Sequence, residues 1–295
     1  MDRRFYIADV FAEKKYAGNQ LAVIRDSRGL TDEELMLITR EMNYSETTFL
    51  LSDEQEDDGG YNVRIFTPGE EVPFAGHPTL GTAYIIQQEI IKSEVEEVKL
   101  NLKIGQIPVK FSYANGKPDI LWMTQKPPQF GTIIDSQEIA RVLGIEVDDI
   151  DPRFPIQEAT TGLPFIIVPL KSLKAVKSCQ TDTKELIKLV EKYDAKNILV
   201  FSNETYNPEN QINVRVFVDF LGIPEDPATG SANGALAGYL VKYRYFSTTK
   251  IDLRVEQGYE MKRESLLLLK AEERDGLIDV QVGGRVQMIA RGELL

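Results

Sequence analysis

Three side chains are the first candidates for proton-transfer chemistry in this sequence of 295 residues. Glu46 lies in the threonine-rich segment 44–50, Asp226 lies in a Glu-Asp-Pro turn, and His77 is the only histidine. A carboxylate that is partly shielded from water has a raised pKa and can transfer protons near neutral pH. The residue types alone leave alternatives open: Glu46 could be an exposed strand residue, Asp226 a turn former and His77 a polar turn residue.

Two glycine-led helix starts could bind a small anion. The segment Gly76–Pro78 opens an apolar helix, and Gly230-Ser231 opens an uncharged helix over 232–240. A helix without charge on any face is normally buried, and the N–H groups at its amino end carry positive partial charge. Such an end suits a carboxylate. The alternative is that both glycines are turn residues and that Ser231 is an N-cap.

The segments before these helix starts are similar to each other, which indicates an internal repeat. Arg64-Ile65-Phe66 reappears as Arg215-Val216-Phe217, about 150 residues later. The Gly76 helix start reappears at Gly230 with nearly the same offset, and in the same order along the chain. Three ordered similarities, of which the weakest relates Gly18 to Gly162, favour duplication over chance.

The repeat predicts two similar domains. The first is expected over 1–118, with the last strand, 285–295, able to close it, and the second over 119–284. Duplicated domains would place equivalent loops opposite each other across a cleft, and clefts between domains are favoured ligand sites.

Helix caps and short β-rich runs predict an α+β fold. Capping sequences at Thr31, Asp135 and Asp182 open three helices, the first running to about Met42. Alternating β-branched and aromatic runs predict many short strands. These predicted strands cover 4–10, 20–24, 45–51, 61–66, 165–168, 197–201, 213–218, 251–255, 266–271 and 278–282. Many strands and few helices argue against a doubly wound parallel sheet.

Composition excludes several classes of function. Lys and Arg total 34 against 46 Asp and Glu, a net charge of −12, which repels phosphate backbones and argues against a nucleic-acid partner. No apolar run approaches the roughly 20 residues of a membrane span, so no membrane association is expected. One histidine and one cysteine cannot form a zinc site of the usual type within one chain. Cys179 is interpreted as an inert surface thiol, and a reducing cytoplasm is expected.

Four sequence blocks resemble the signature blocks of the PhzF-like isomerase family, the relatives of the phenazine-biosynthesis isomerase. These blocks are Gly18–Val23, Ser45–Phe49, Phe74–Ala83 and Glu225–Ala232, and shorter matches follow at Glu256–Gly258 and Val282–Gly284. The blocks run in order along nearly the whole chain. The resemblance implies a diaminopimelate-epimerase-like fold, in which two similar domains each wrap a curved sheet around a central helix and the active site lies between them.

The resemblance also implies roles for particular residues. The catalytic glutamate of the family falls on Glu46. The residues that would support it are His77, Asp226 and Ser231, with Gly76 and Gly230 supplying backbone donors. Related epimerases and racemases use two cysteines, one beside each helix start, and the corresponding positions here are Ala75 and Thr229. Without those thiols, proton transfer by a carboxylate is the chemistry that remains.

The expected function is isomerisation of a small unsaturated or amino carboxylic acid, without a cofactor or a metal. Glu46 would remove a proton next to a conjugated system and return it elsewhere, while the helix ends hold the substrate carboxylate. Two alternatives stay open: an amino-acid racemase or epimerase that uses Glu46 and Asp226, and a non-catalytic protein that binds small acids. The resemblance further implies a homodimer.

Overall fold

The computed structural model describes residues 3–218 and 224–295. Internal contacts divide the chain into two compact units. Unit 1 comprises residues 1–123 and 283–295, and unit 2 comprises residues 124–282.

Unit 1 is a mixed sheet whose strands come from both ends of the chain. Its strands are β1 (Arg3–Val10), β2 (Asn19–Ile24), β3 (Thr47–Leu50), β4 (Gly60–Phe66), β5 (Glu71–Val72), β6 (Glu97–Leu102), β7 (Gly105–Ala114), β8 (Lys117–Gln125) and β18 (Val286–Leu294). From β1 to β7 the neighbouring pairs are antiparallel β1–β2, parallel β2–β3, antiparallel β3–β4, parallel β4–β6 and antiparallel β6–β7. The last strand, β18, pairs antiparallel with β1.

A buried helix, α2 (Gly76–Ile86), forms the core of unit 1 and packs against β1, β2, β3, β6, β7 and β18. It carries no charged residue, so it can be covered on all sides without burying an ion. The helix widens into a π-helical turn at Gln87–Ile91. A second helix, α1 (Asp32–Met42), is amphipathic and opens with a complete capping box between Thr31 and Glu34.

Unit 2 repeats this architecture. Its strands are β9 (Gln129–Ile133), β10 (Gln157–Thr160), β11 (Pro164–Pro169), β12 (Asn197–Ser202), β13 (Ile212–Phe217), β14 (Glu225–Asp226), β15 (Lys250–Gln257), β16 (Ser265–Arg274) and β17 (Leu277–Gly284). The pairs β10–β11, β11–β12, β12–β13, β13–β15 and β15–β16 are antiparallel, parallel, antiparallel, parallel and antiparallel, the same succession as in unit 1.

The central helix of unit 2 is α6 (Gly230–Lys242), which packs against β10, β11, β15 and β16. Its small residues let neighbouring groups approach the backbone closely. A Cβ atom at Gly238 would lie 2.6 Å from the ring of Pro128. Three outer helices are α3 (Ser136–Leu143), α4 (Leu173–Ser178) and α5 (Thr183–Val190). Their apolar faces share one core cluster with β11 and β12.

The predicted α+β class with two similar, sheet-around-helix units is confirmed by this architecture. Two local predictions were wrong. The predicted strand over 45–51 begins only at Thr47, so Glu46 precedes the strand. Cys179 is buried and not at the surface: its thiol donates to the carbonyl of Ala175 at 3.3 Å, and burial raises its pKa to about 12. Within residues 3–218 and 224–295, none of the helices combines the length and the hydropathy that a bilayer span requires.

Candidate active site

Glu46 is placed by the connection between α1 and β3. The helix ends at Met42, and Asn43 then takes a left-handed conformation that turns the chain. Glu46 lies directly before β3, whose first residue, Thr47, pairs with Ala22 of β2. The Glu46 side chain is 19% exposed, so it reaches solvent while most of it is covered by protein.

His77 lies beside Glu46 in the first turn of α2. The Nε2 atom of His77 is 3.5 Å from Oε2 of Glu46, and its Nδ1 atom is 3.2 Å from the side-chain amide nitrogen of Asn19. When this amide donates to Nδ1, the proton of a neutral imidazole is on Nε2, the nitrogen that faces Glu46. In that tautomer the Nε2 proton faces Glu46, and the 3.5 Å separation of Nε2 and Oε2 is a close contact and not a hydrogen bond.

Burial keeps the imidazole of His77 uncharged. It lowers the pKa to about 3, and a hydrogen bond with the backbone of Gln20 opposes this shift only partly. At neutral pH the contact with Glu46 therefore involves an uncharged ring and is not an ion pair.

Asn19 is a site residue to which sequence reasoning assigned no role. It begins β2, directly after Gly18, whose φ is +68°. A Cβ at Gly18 would lie 2.3 Å from the carbonyl oxygen of Val10, so only glycine lets the chain pass here. Asn19 lies in the Gly18–Val23 block, which resembles a family signature. Its role could not be read from that block, because it depends on a contact with His77, which is distant in sequence.

The amino end of α2 has the properties of an anion site. Its N-cap is Ala75, which has no side chain able to cap, and the first turn holds no acidic residue. No side chain of the helix start therefore neutralises the positive potential that the N–H groups and the helix dipole create in the space before Gly76. This arrangement can hold a carboxylate near Glu46 and His77.

In unit 2, Asp226 is the last residue of β14 and is 9% exposed. It pairs with Val216 of β13. Its Oδ2 atom accepts a hydrogen bond of 2.5 Å from the hydroxyl of Thr229. Thr229 is the N-cap of α6, but its hydroxyl is directed to Asp226 and makes no capping bond.

Gln257 and Asn233 secure the loop that carries Asp226, and neither had been assigned a role from the sequence. The amide nitrogen of Gln257 donates to the carbonyl of Asp226 at 2.8 Å. Its oxygen accepts from the backbone N–H of Thr229 at 3.1 Å and from the amide of Asn233 at 2.8 Å. Both side chains are fully buried. The only sequence signal near these residues was the resemblance of the Glu256–Gly258 block to a family signature, and it did not indicate that Gln257 holds the Asp226 loop.

The first turn of α6 contains the other two predicted residues of unit 2. Gly230 is buried, and its carbonyl accepts from the amide of Gln125 at 3.0 Å. Ser231 follows and is partly exposed. The amino end of α6 can therefore offer N–H groups and a hydroxyl to a ligand, as the sequence predicted for an anion site.

The structure brings the predicted residues together in two groups. Glu46, Gly76 and His77 are adjacent in unit 1, while Asp226 and the Gly230-Ser231 pair are adjacent in unit 2. The first group combines a carboxylate with a neutral imidazole and a helix amino end, which suits general acid–base chemistry on an anionic molecule. Within residues 3–218 and 224–295, no group of three or more His, Cys, Asp or Glu could hold a metal ion.

Comparison with known proteins identifies the family to which the chain belongs. Residues 8–292 match the family model described as phenazine biosynthesis-like protein. The chain is 32% identical over 284 residues to the trans-2,3-dihydro-3-hydroxyanthranilate isomerase of Pseudomonas aeruginosa, covering 95% of this chain and 96% of the relative. The chain belongs to the PhzF family, and it is an isomerase.

Solved structures agree with this assignment. A Bacillus anthracis phenazine biosynthesis protein of the PhzF family superposes with a TM-score of 0.91 at 27% identity, covering 100% of this chain and 99% of that one. A hydroxyproline epimerase from Agrobacterium vitis superposes with a TM-score of 0.66 at 10% identity, covering 99% and 91%. The second likeness concerns the fold alone, and it places the chain among the epimerase-like folds.

Proposed function

We propose that this protein moves a proton between two carbons of a small cyclic carboxylic acid, with Glu46 as the group that removes and returns it. The observation that carries the proposal is the pairing of the partly exposed Glu46 carboxylate with the buried, neutral His77 at the amino end of α2. A carboxylate flanked by an N–H donor and a positive helix end can be kept ionised beside an anionic substrate.

In the proposed reaction, ionised Glu46 takes a proton from a carbon next to a conjugated system. The C–H bond breaks, and its electron pair spreads over the π system toward the substrate carboxylate. The amino end of α2 stabilises that charge. Protonated Glu46 then forms a new C–H bond at another carbon of the same system, so that no electron acceptor is required. General acid–base catalysis of this kind contributes about 10²–10⁴-fold.

Asp226 and the first turn of α6 are proposed to bind the polar groups of the substrate. Asp226 would accept hydrogen bonds from an amine or hydroxyl, while Gly230 and Ser231 would donate to a carboxylate. This division follows from chemistry: the Asp226 carboxylate accepts, whereas helix N–H groups donate.

The relatives suggest the compound with which to begin. Trans-2,3-dihydro-3-hydroxyanthranilate, which the name of the Pseudomonas aeruginosa relative specifies, has a ring diene conjugated with a carboxylate. It carries an amine and a hydroxyl as well, the groups that Asp226 could bind. We propose it as the probe substrate, without assigning this protein to phenazine synthesis.

Replacing Glu46 tests the proposal. Glu46→Gln keeps the size of the side chain but removes the base, so turnover of the probe should fall by at least about 10²-fold while the melting temperature is unchanged. Glu41→Gln is the matched control, because Glu41 is exposed on α1 and the substitution is chemically the same. Product formation by liquid chromatography, with a thermal melt of each variant, provides the two measurements.

Turnover in D₂O separates the proposal from the two alternatives. Deuterium at a new ring carbon, without inversion at an α-carbon, supports the proposed shift. Wash-out of an α-hydrogen with inversion would identify a racemase or epimerase. If the wild type binds cyclic amino acids in calorimetry but converts none of them, it is a binding protein. Near-normal turnover by Glu46→Gln would remove Glu46 from the mechanism.

The family resemblance also leads us to propose a homodimer that works in the cytoplasm. Sedimentation velocity at micromolar concentration should then give the mass of two chains. A monomer at all concentrations would contradict this assembly without affecting the proposed chemistry.

A further inference from the structure

The hydrogen bonds around Asp226 have a direction that can be deduced from their donors. The oxygen of the Gln257 side chain faces two groups that can only donate to it, the backbone N–H of Thr229 and the amide of Asn233. Its nitrogen faces the carbonyl of Asp226, which can only accept. The orientation of the Gln257 amide is therefore determined by its partners.

This orientation also decides the role of the Thr229 hydroxyl. The nitrogen of Gln257 lies 3.1 Å from Oγ1 of Thr229 and donates to it. A hydroxyl has one proton, and with a donor already directed at its oxygen it turns that proton toward Oδ2 of Asp226, 2.5 Å away. The donors thus form one chain, from Gln257 to Thr229 to Asp226, in which each bond polarises the next.

A backbone contact next to Gln257 holds the same loop. Gly258 has a φ of +80°, and a Cβ placed on it would lie 2.6 Å from the carbonyl oxygen of Pro227. Gly258, directly after β15, therefore packs against the backbone of Pro227, and only a glycine permits so close a contact. Side-chain hydrogen bonds and backbone packing act on one short segment.

We infer that Gln257 is a positioning residue for the proposed reaction: through the hydroxyl of Thr229 it holds Asp226 as a hydrogen-bond acceptor at Oδ2. The inference rests on the proposed role of Asp226 in binding substrate. It assigns Thr229, which by the family resemblance corresponds to a cysteine of related epimerases, to orienting an acid rather than to transferring a proton itself.

Two substitutions at Thr229 separate the hydroxyl from the shape of the side chain. Thr229→Val keeps the shape and loses the donor, whereas Thr229→Ser keeps the donor and loses a methyl group. With trans-2,3-dihydro-3-hydroxyanthranilate as the probe, Thr229→Val should lower kcat/KM on the order of tenfold or more, because a hydrogen bond to a carboxylate is lost. Thr229→Ser should stay within about threefold of the wild type. If Thr229 acted only through packing, Thr229→Val would retain activity and the smaller Thr229→Ser would lose it.

Hydrogen exchange provides a readout that does not depend on catalysis. Gln257→Glu replaces the donating nitrogen with an oxygen, which cannot donate to the Asp226 carbonyl when ionised. Backbone exchange over 225–232 should then accelerate by on the order of tenfold. Thr229→Ser should leave that segment protected. Gln137→Glu, the same change at an exposed position of α3, is the control and should also leave it protected.

The two readouts distinguish the inference from the proposed function. If the wild type turns over none of the probe, the proposed function fails, and the exchange comparison alone decides the role of Gln257. Unchanged exchange over 225–232 in folded Gln257→Glu would overturn the inference. Equal kcat/KM for Thr229→Val and Thr229→Ser would overturn it as well, even if Glu46→Gln is inactive.

Discussion

His77 is a buried imidazole whose value to the site lies in being neutral. An imidazolium beside Glu46 would bind the carboxylate tightly and oppose proton removal, whereas a neutral N–H donor leaves the carboxylate available as a base. Full burial provides this neutrality, because it lowers the pKa of His77 to about 3. Acidic loss of activity above pH 4 should therefore come from groups other than His77.

The single histidine makes this expectation directly measurable. The imidazole carbon-bound proton resonances should not shift between pH 5 and pH 8, because the ring stays neutral throughout this range. A denatured sample should titrate with a midpoint near the ordinary value of about 6.5. Two-dimensional carbon–proton NMR on the native protein is the measurement, and a native midpoint between 5.5 and 7.5 would contradict it.

The same group should make stability fall with acidification. His77 has a pKa of about 6.5 in the unfolded chain and about 3 in the native protein, so between these pH values only the unfolded chain binds a proton there. The unfolded state thus binds more protons, and the free energy of unfolding falls as the pH falls through this window. Between pH 7 and pH 5 the expected loss is about 2 kcal/mol. His77→Gln should lack this part of the loss in urea denaturation.

The central helices explain why each unit is rich in small residues. In α6, Gly238 faces Pro128, and in α2 a Cβ at Gly81 would lie 2.5 Å from the side chain of Leu21. A sheet wrapped around one helix leaves room only for a narrow helix on the crowded side. Helix propensity is overridden here, since glycine inside a helix is about 1 kcal/mol less favourable than alanine.

Alanine at Gly238 should therefore destabilise the protein despite its better helix propensity. The Pro128 ring cannot rotate away, so overpacking should cost about 1–3 kcal/mol. Gly69→Ala is the control: Gly69 is exposed, and the nearest atom to a new Cβ would be 3.8 Å away. Urea denaturation should show a loss only for Gly238→Ala. A gain in stability at Gly238 would mean that the helix has room to move.

Several elements were predictable from local patterns, and others were not. The caps at Thr31, Asp135 and Asp182 open helices as predicted, because capping requires only neighbouring residues. The strands between Glu97 and Ile133 were missed. β6 does alternate polar and apolar residues, so its pattern was readable, whereas β9 is exposed over most of its length and has no buried face to read.

The two units share not only the order of their strands but also an equivalent arginine–glutamate ion pair. Arg64 of β4 binds Glu71 of β5 through two hydrogen bonds and lies 5.0 Å from the ring of Phe66. In unit 2, Arg215 binds Glu225 in the same way and lies 4.7 Å from the ring of Phe217. Each pair fastens the short strand that leads to a central helix.

The two copies differ in burial and in the second acidic neighbour of the arginine, which is Asp32 at 2.7 Å from Arg64 and Glu260 at 3.9 Å from Arg215. The Arg215 and Glu225 side chains are 9% and 11% exposed, against 26% and 22% for Arg64 and Glu71. Glu225→Gln leaves a buried guanidinium with only the more distant Glu260 as counter-charge and should cost about 3–5 kcal/mol. Glu71→Gln leaves the more exposed Arg64 paired with Asp32 and should cost about 1 kcal/mol or less. Urea denaturation of both variants checks this, and equal losses would show that burial does not govern the pair.

The class of fold, the duplication and the candidate acids could all be inferred from the amino-acid sequence. Uncharged helices, helix caps and ordered signature blocks depend on neighbouring residues or on similarity, so they can be read from the chain. It also pointed to Glu46, His77 and Asp226, although each retained an alternative role.

How these residues can act depends on contacts that form only in the folded chain. The neutral charge of His77 comes from burial in unit 1, and the direction of the Thr229 hydroxyl comes from Gln257, 28 residues further along the chain. Cys179 became an inert core thiol because its neighbours cover it. Burial and long-range hydrogen bonds set protonation and orientation, and neither is a property of a local sequence pattern.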